Sequence, residues 1–223
     1  MDQVAKPKVR ITGSGQSSGG VFDSIHIMGE GQLYGATEAE SFKCMGNCIV
    51  KGNLKTGEYR LQGEGIVEGD MQVKQLKALG QLNVRGHVHG STLKIHGHLE
   101  VDGGCGADSF QAKGGFTIQG LLSADQIDVS LFGPCVAREI GGGRIHVRRS
   151  RVLGIKRWFS GKGPMELTAE SIEGDNIYIE HTHAERVRGN HVVIGPGCKI
   201  GRVEYRNTLK KSKSAIVRHE SII

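Results

Sequence analysis

Six histidines of this chain fall in pairs two residues apart: His87 and His89, His96 and His98, and His181 and His183. Side chains of a β-strand alternate between its two faces, so both rings of such a pair point the same way. One further donor from a neighbouring strand would complete a zinc or copper site. The spacing of the chain does not supply one. Leu79 and Lys113 stand seventeen positions before and after His96, and Gln81 and Gly115 stand in the same relation to His98. No metal site and no cofactor is expected. The five cysteines give no ligand set either: Cys44 and Cys48 are four apart, which is not the paired C-x-x-C of a zinc ribbon, and Cys105, Cys135 and Cys198 are isolated. They read as interior filler.

Two further motifs resemble known sites and stand alone. Ile194 to Gly201 resembles one hexapeptide of the left-handed β-helix acyltransferases, which sustain that period over several coils. Gly103 to Phe110 resembles one calcium-binding nonapeptide, which works only in tandem. The carboxylates are scattered along the chain and not gathered beside a base, so no catalytic constellation emerges and the chain is not expected to be an enzyme. Charge is more local. From Arg138 to Lys162, eight Lys and Arg residues face one acid, Glu139, for +7, whereas the whole chain is +6. This stretch holds the single Trp. Arg148, Arg149, Arg151, Lys156, Arg157, Trp158 and Phe159 form a candidate partner-binding patch, with a solvated hairpin folded back on the body as the other reading. Lys43, Arg60, Lys77 and Lys94 recur at every seventeenth position and read as a solubilising surface row, beside Lys51, Glu68, Arg85 and Asp102, which alternate in sign.

These side chains are positioned by a repeat. Glycine pairs six apart return at every seventeenth position, at Gly29/Gly35, Gly46/Gly52, Gly63/Gly69, Gly80/Gly86, Gly97/Gly103 and Gly114/Gly120. Between them run apolar columns: Ile25, Phe42, Tyr59, Leu76, Leu93, Phe110, Ile127; two residues on, Ile27, Cys44, Leu61, Ala78, Ile95, Ala112, Val129; and further along, Leu33, Val50, Val67, Val84, Val101, Ile118. A spacing of two is strand periodicity. Short strands with glycine corners, one set per repeat, predict an all-β chain: a single-stranded parallel β-helix whose turns are stable only when stacked. The glycines are expected at corners because only Gly takes positive φ without steric cost.

Composition agrees. Gly is 35 of 223 residues while Pro is 4, so the excess is periodic and not the mark of disordered sequence. No apolar run approaches the ~20 residues of a membrane-spanning helix, and Met1 to Ser17 lacks a signal peptide's apolar core, so a cytoplasmic protein is expected. The expected organisation is an N-terminal tail over 1–7, a regular β-helix over 8–137, a basic insertion or hairpin over 138–165, further β-helix turns of fifteen-residue spacing over 166–205, and a basic tail or last turn over 206–223.

The tandem Gly-bounded turns, together with Gly120 to Asp125, Leu131 to Cys135, Ile172 to Asp175 and Val192 to Cys198, resemble the bactofilins, polymer-forming cytoskeletal proteins of bacteria, in their longer Gram-positive form. The resemblance implies a right-handed β-helix that polymerises end to end without nucleotide and scaffolds cell-shape, envelope or motility factors. It implies the chain itself as partner, with further proteins, a paralogous bactofilin among the candidates. Contact with a membrane is expected at the surface or through partners, not by insertion, and nucleic acid is disfavoured. With no amphipathic helix ahead of Lys8, Val9 and Ile11 are expected at one polymer contact, and Val203 and Tyr205 of the last turn at the other. The alternative is a β-helix enzyme or metal-dependent binding module using the lateral His pairs.

Overall fold

Along Leu54 to Val67 the side chains of Leu54, Thr56, Tyr59, Leu61 and Val67 are buried while their neighbours face outward, as strand alternation requires. The same pattern repeats through the chain. In the computed structural model, which describes residues 6–150 and 164–223, it builds β1 (Lys8–Lys51), β2 (Leu54–Val67), β3 (Met71–Val84), β4 (Val88–Val101), β5 (Cys105–Arg149), β6 (Leu167–Ile179), β7 (Thr182–Ile194), β8 (Lys199–Lys211) and β9 (Ile216–Ile222). Each pairs in parallel with the next, in sequence order from β1 to β9. The long strands β1 and β5 bend through corners and contain more than one turn of the coil. The architecture is a parallel β-solenoid, and no helix occurs among the described residues.

Register confirms the repeat. Phe42 pairs with Tyr59, Tyr59 with Leu76, Leu76 with Leu93 and Leu93 with Phe110, a constant offset of seventeen. Every member of the three apolar columns is buried. Stacking puts Phe42 and Tyr59 5.0 Å apart between ring centroids, and Phe116 meets Phe110 edge-on at 5.6 Å. Each such side chain withdrawn from water contributes about 1.5–3 kcal/mol, and the core is one continuous column along the axis.

The two glycine columns act by different means. Gly29, Gly46, Gly63, Gly80, Gly97 and Gly114 all have positive φ, between 118° and 150°. A Cβ at any of the last five would also press on the backbone carbonyl of the glycine one turn below. In the second column only Gly35 and Gly52 have positive φ, so the expectation of conformational need fails at Gly69, Gly86, Gly103 and Gly120. Three of these four make room. A Cβ on Gly69 or Gly86 would collide with Oδ1 of Asn53 or Asp70, and one on Gly103 would stand 2.8 Å from Nδ1 of His87. Those atoms form a ladder: the Asp70 N–H donates to Asn53 Oδ1 at 2.9 Å, the His87 N–H to Asp70 Oδ1 at 2.8 Å, and the Gly104 N–H to His87 Nδ1 at 2.9 Å.

Beyond β5 the coil shortens. Leu167 pairs with Thr182 and Ile179 with Ile194, an offset of fifteen. Seven residues separate Ile172 from Ile179 where eight separate Tyr59 from Val67, and three separate Ile179 from Thr182 where four separate Val67 from Met71. One residue is lost at each of two corners. The second corner then falls on His181, which takes φ 45°, the one non-glycine residue with positive φ among those described. A register shift between Gly189 and His191 returns the spacing toward seventeen in β8.

Candidate functional site

The ends of the stack are its distinctive surfaces. At one end the first turn carries Val9, half-buried, and Ile11, 8% exposed, with Lys8 paired to Asp23 at 3.5 Å. At the other end the structure corrects the expected edge. Val203 is fully buried, because β9 stacks on β8 and sets Glu220 beside Val203 and Ile222 beside Tyr205. The terminal rung is therefore Ile216–Ile222, and residues 206–223 are the end of β8 and a further turn. Ile216 and Ile222 are 57% and 71% exposed there, and nothing among the described residues pairs with the outer edge of β9. Both ends are basic. Residues 6–22 hold Lys6, Lys8 and Arg10 and no acid, for +3; residues 199–223 hold seven Lys and Arg against Glu204 and Glu220, for +5.

The first part of the expected basic insertion is strand. Arg138 to Arg149 belong to β5, where Ile140, Ile145 and Val147 point inward and pair with Ile172, Ile177 and Ile179. Alternation leaves Arg138, Arg144 and Arg148 outward, so their charges are those of an ordinary lateral face. Arg151, Lys156, Arg157, Trp158 and Phe159 lie outside the described residues.

Beside Arg148 and Arg149 the structure gathers a polar cleft of about 560 Å³ that the sequence did not announce. The Tyr178 hydroxyl donates to Glu180 Oε1 at 2.5 Å, and the Arg149 N–H donates to Oε2 at 3.0 Å, so each oxygen of this buried carboxylate has a donor. His146 Nδ1 lies 3.3 Å from Asp128 Oδ1, and its ring stands 5.0 Å from that of Tyr178. The available sign was the period-two spacing of Tyr178 and Glu180. The Arg149 amide that completes the arrangement comes from β5, a full coil earlier in the chain, and no local pattern reveals it.

The histidine pairs are not brought into ligand sets. His87 and His89 stack at 6.4 Å, but His87 Nδ1 already accepts from Gly104. Gly97 puts a corner between His96 and His98, whose neighbours are Leu79, Lys113, Gln81 and Gly115, as the spacing predicted. His181 sits at a corner and not in a strand, so it does not share a face with His183, which approaches Glu166 at 3.7 Å. Among the described residues no group of three or more His, Cys, Asp or Glu could hold a metal. All five cysteines are buried and free, as inward filler should be. Burial pushes the Cys105 and Cys135 thiols up to about 12 and Cys198 to about 11. Hydrogen bonding to Cys48, then burial, holds Cys44 far above the usual thiol range. Of the alternating row, Arg85 pairs with Asp102 at 3.3 Å, while the Lys51 ammonium lies over the Tyr34 ring at 4.8 Å.

Stacked parallel rungs, a continuous apolar core and columns of repeated side chains define a parallel β-solenoid protein. Its relatives place it more narrowly. The chain is 55% identical over 229 aligned positions to the uncharacterized protein YhbE of Bacillus subtilis strain 168, covering 94% of this chain and 95% of that one, and it belongs to the YhbE family. It is also 46% identical over 68 residues to the uncharacterized protein YhbF of the same organism; that match spans 30% of this chain and 26% of YhbF. No family model matches the chain, and no solved structure matches it. No described helix is long and apolar enough to cross a membrane.

Proposed function

We propose that this protein is a non-enzymatic, self-assembling scaffold of the cytoplasm, which polymerises end to end without nucleotide and organises cell-shape, envelope or motility factors. One observation carries the reading: the terminal rung β9 offers an unpaired strand edge with Ile216 and Ile222 exposed, at the end of a sheet in which each rung pairs with the next. A strand edge of this kind is a template for another chain, and continuing the ladder would satisfy its amides and cover Ile222, which stacks on Tyr205. The resemblance to bactofilins supports the same reading and supplies the cellular role proposed here.

Charge sets the conditions. Any end-to-end contact brings together surfaces on which Lys and Arg outnumber the acids, so assembly works against repulsion. The screening length falls from about 30 Å at 0.01 M salt to about 8 Å at physiological ionic strength, so longer assemblies are expected as salt rises. The test is Ile222→Arg, at a position exposed enough to leave the fold intact, compared with the unaltered chain by sedimentation velocity and negative-stain microscopy across salt concentrations. Shorter assemblies are expected. Unchanged lengths would remove β9 from the contact, and a single subunit at all salt and protein concentrations would remove the scaffold reading.

A further inference from the structure

The cleft beside Arg148 and Arg149, of about 560 Å³, gathers more polar chemistry than the packing of the coils requires. Its carboxylate, Glu180, is buried, and both of its oxygens are held by uncharged donors: the Tyr178 hydroxyl on Oε1 and the Arg149 N–H on Oε2. A buried carboxylate is ordinarily paired with a cation. Cations are at hand, since Arg148 and Arg149 line the same cleft, yet neither forms an ion pair among the described residues. By holding Glu180 on neutral donors, the fold leaves two guanidiniums uncommitted beside it. The same cleft carries the Ser130 hydroxyl and His146, whose Nδ1 faces Asp128 Oδ1 at 3.3 Å, so that Nε2 is left for a further partner. The rings of His146 and Tyr178 adjoin there, 5.0 Å between centroids.

We propose that this cleft binds a phosphomonoester of a small hydroxylated molecule, a sugar phosphate in class. Each part of such a ligand has a counterpart. The planar forks of Arg148 and Arg149 suit the oxygens of a phosphate, and Ser130 adds a donor. Each oxygen of an ionised carboxylate has two lone pairs, so Glu180 can accept from a ligand hydroxyl as well as from the donors that hold it. The adjoining His146 and Tyr178 rings offer a surface for the C–H face of a sugar. The volume falls within the roughly 300–1,000 Å³ usual for small-molecule sites. None of the described lining residues is aliphatic, so a lipid tail finds no wall to pack on. The assignment is one of binding and goes beyond the scaffold reading without needing it, because the cleft is built on β5 and β6, between the terminal rungs.

The experiment is calorimetric titration of the full chain with glucose-6-phosphate, ribose-5-phosphate and glycerol-3-phosphate, and with glucose and inorganic phosphate beside them. Saturable binding of at least one ester is expected, tighter than that of inorganic phosphate, which meets only the arginines, and tighter than that of glucose, which lacks the anion. Arg148→Ala combined with Arg149→Ala keeps the backbone N–H that holds Glu180 and should weaken the ester at least about tenfold. Glu180→Gln should weaken the ester by less and leave inorganic phosphate unchanged. Lys77→Glu combined with Lys94→Glu, on β3 and β4, removes as many cations away from the cleft and should leave ester binding in place. Circular dichroism and sedimentation of each variant without ligand read folding and assembly separately, so failure of the scaffold reading is not mistaken for failure of this one. Absence of binding by all of the esters overturns the proposal. So does ester binding that the double arginine variant leaves unchanged, or glucose or inorganic phosphate binding as tightly as the esters.

Discussion

The coils of β2 to β4 and those of β6 and β7 use the same inward columns at different lengths, and their surfaces differ accordingly. In the longer coils, outward side chains stack in straight rows, from Lys43 to Lys94 on one face and from Asn53 to His87 at a corner. In the shorter ones the glycine corner loses one residue and the wall sinks. Gly142, Gly174 and Gly189 then line a groove of about 570 Å³ flanked by Arg186, Arg188 and Asp175. Ion pairs cross the turns there, from Arg188 to Glu173 at 3.9 Å and to Glu204 at 4.0 Å. The cleft under Tyr178 and Glu180 also lies where the offset departs from seventeen. The constant coils also carry a groove, of about 580 Å³ along Glu38, Lys55, Gln72 and His89, so a change of period reshapes the concave surface without being its only source.

The sharpest way to break this comparison is at the glycine spine of the long coils. Gly63 has φ 127° and stacks directly on the Gly46 carbonyl, whereas Gly35 has φ 99° with nothing within 4 Å of where a Cβ would sit. Gly63→Ala meets both strain and collision and should cost about 3 kcal/mol or more. Gly35→Ala meets strain alone and should cost about 1–2 kcal/mol. Denaturant melts of the two variants check the difference. Equal costs would mean that the spine is set by dihedral preference and not by close stacking.

Alkaline pH separates the regions next. Burial holds Cys105 and Cys135 at about 12, and Cys198, beside the short coils, at about 11. A raised thiol binds its proton more tightly in the folded chain than in the unfolded one. Its contribution is constant below the ordinary thiol value and is lost as pH rises from there through the folded value, by about 1.4 kcal/mol per pH unit for each thiol. Stability should therefore be flat with respect to these groups at neutral pH and fall above about pH 9. Cys198 should be the first of the three to ionise, and alkylation followed by peptide mass spectrometry should find it labelled before Cys105.

Much of the fold was legible because the buried columns are side-chain facts: Ile25, Phe42 and Tyr59 repeat at one spacing, and one spacing permits one register. What escaped was set by partners distant in sequence or by corners. Gly69 looked like a φ-driven glycine, yet it clears space for Asn53 Oδ1, and the sign was an acceptor-bearing residue directly after three successive second-column glycines, Gly52, Gly69 and Gly86: Asn53, Asp70, His87. His181 and His183 looked like one strand face, but losing a residue from the loop moved His181 onto a corner. Val203 and Tyr205 looked terminal because the basic residues 206–223 read as a tail or last turn, and β9 pairs with β8 all the same. Glu180 is one of the carboxylates scattered along the sequence, and only the stacking of β6 on β5 gives it the Arg149 amide.

The smallest effect tests whether the straight rows of the long coils stabilise them or merely decorate them. Asp70 is the centre of the corner ladder, accepting from the His87 N–H through Oδ1 while its own N–H donates to Asn53. Asp70→Ala leaves the His87 amide without that acceptor, yet the corner is exposed and water can replace it. The global cost should stay near about 1 kcal/mol. The local consequence should be clearer, because backbone bonds at the same corner, from Leu54 N–H to Asp70 O at 2.8 Å and from Met71 N–H to His87 O at 2.8 Å, depend on the chain holding that path. Hydrogen exchange should accelerate at His87 and Met71 in the variant and stay unchanged at Thr182, whose corner has no such ladder. Acceleration at Thr182 as well would mean that the corners are cooperative along the whole stack, and that the two regions differ in shape but not in stability.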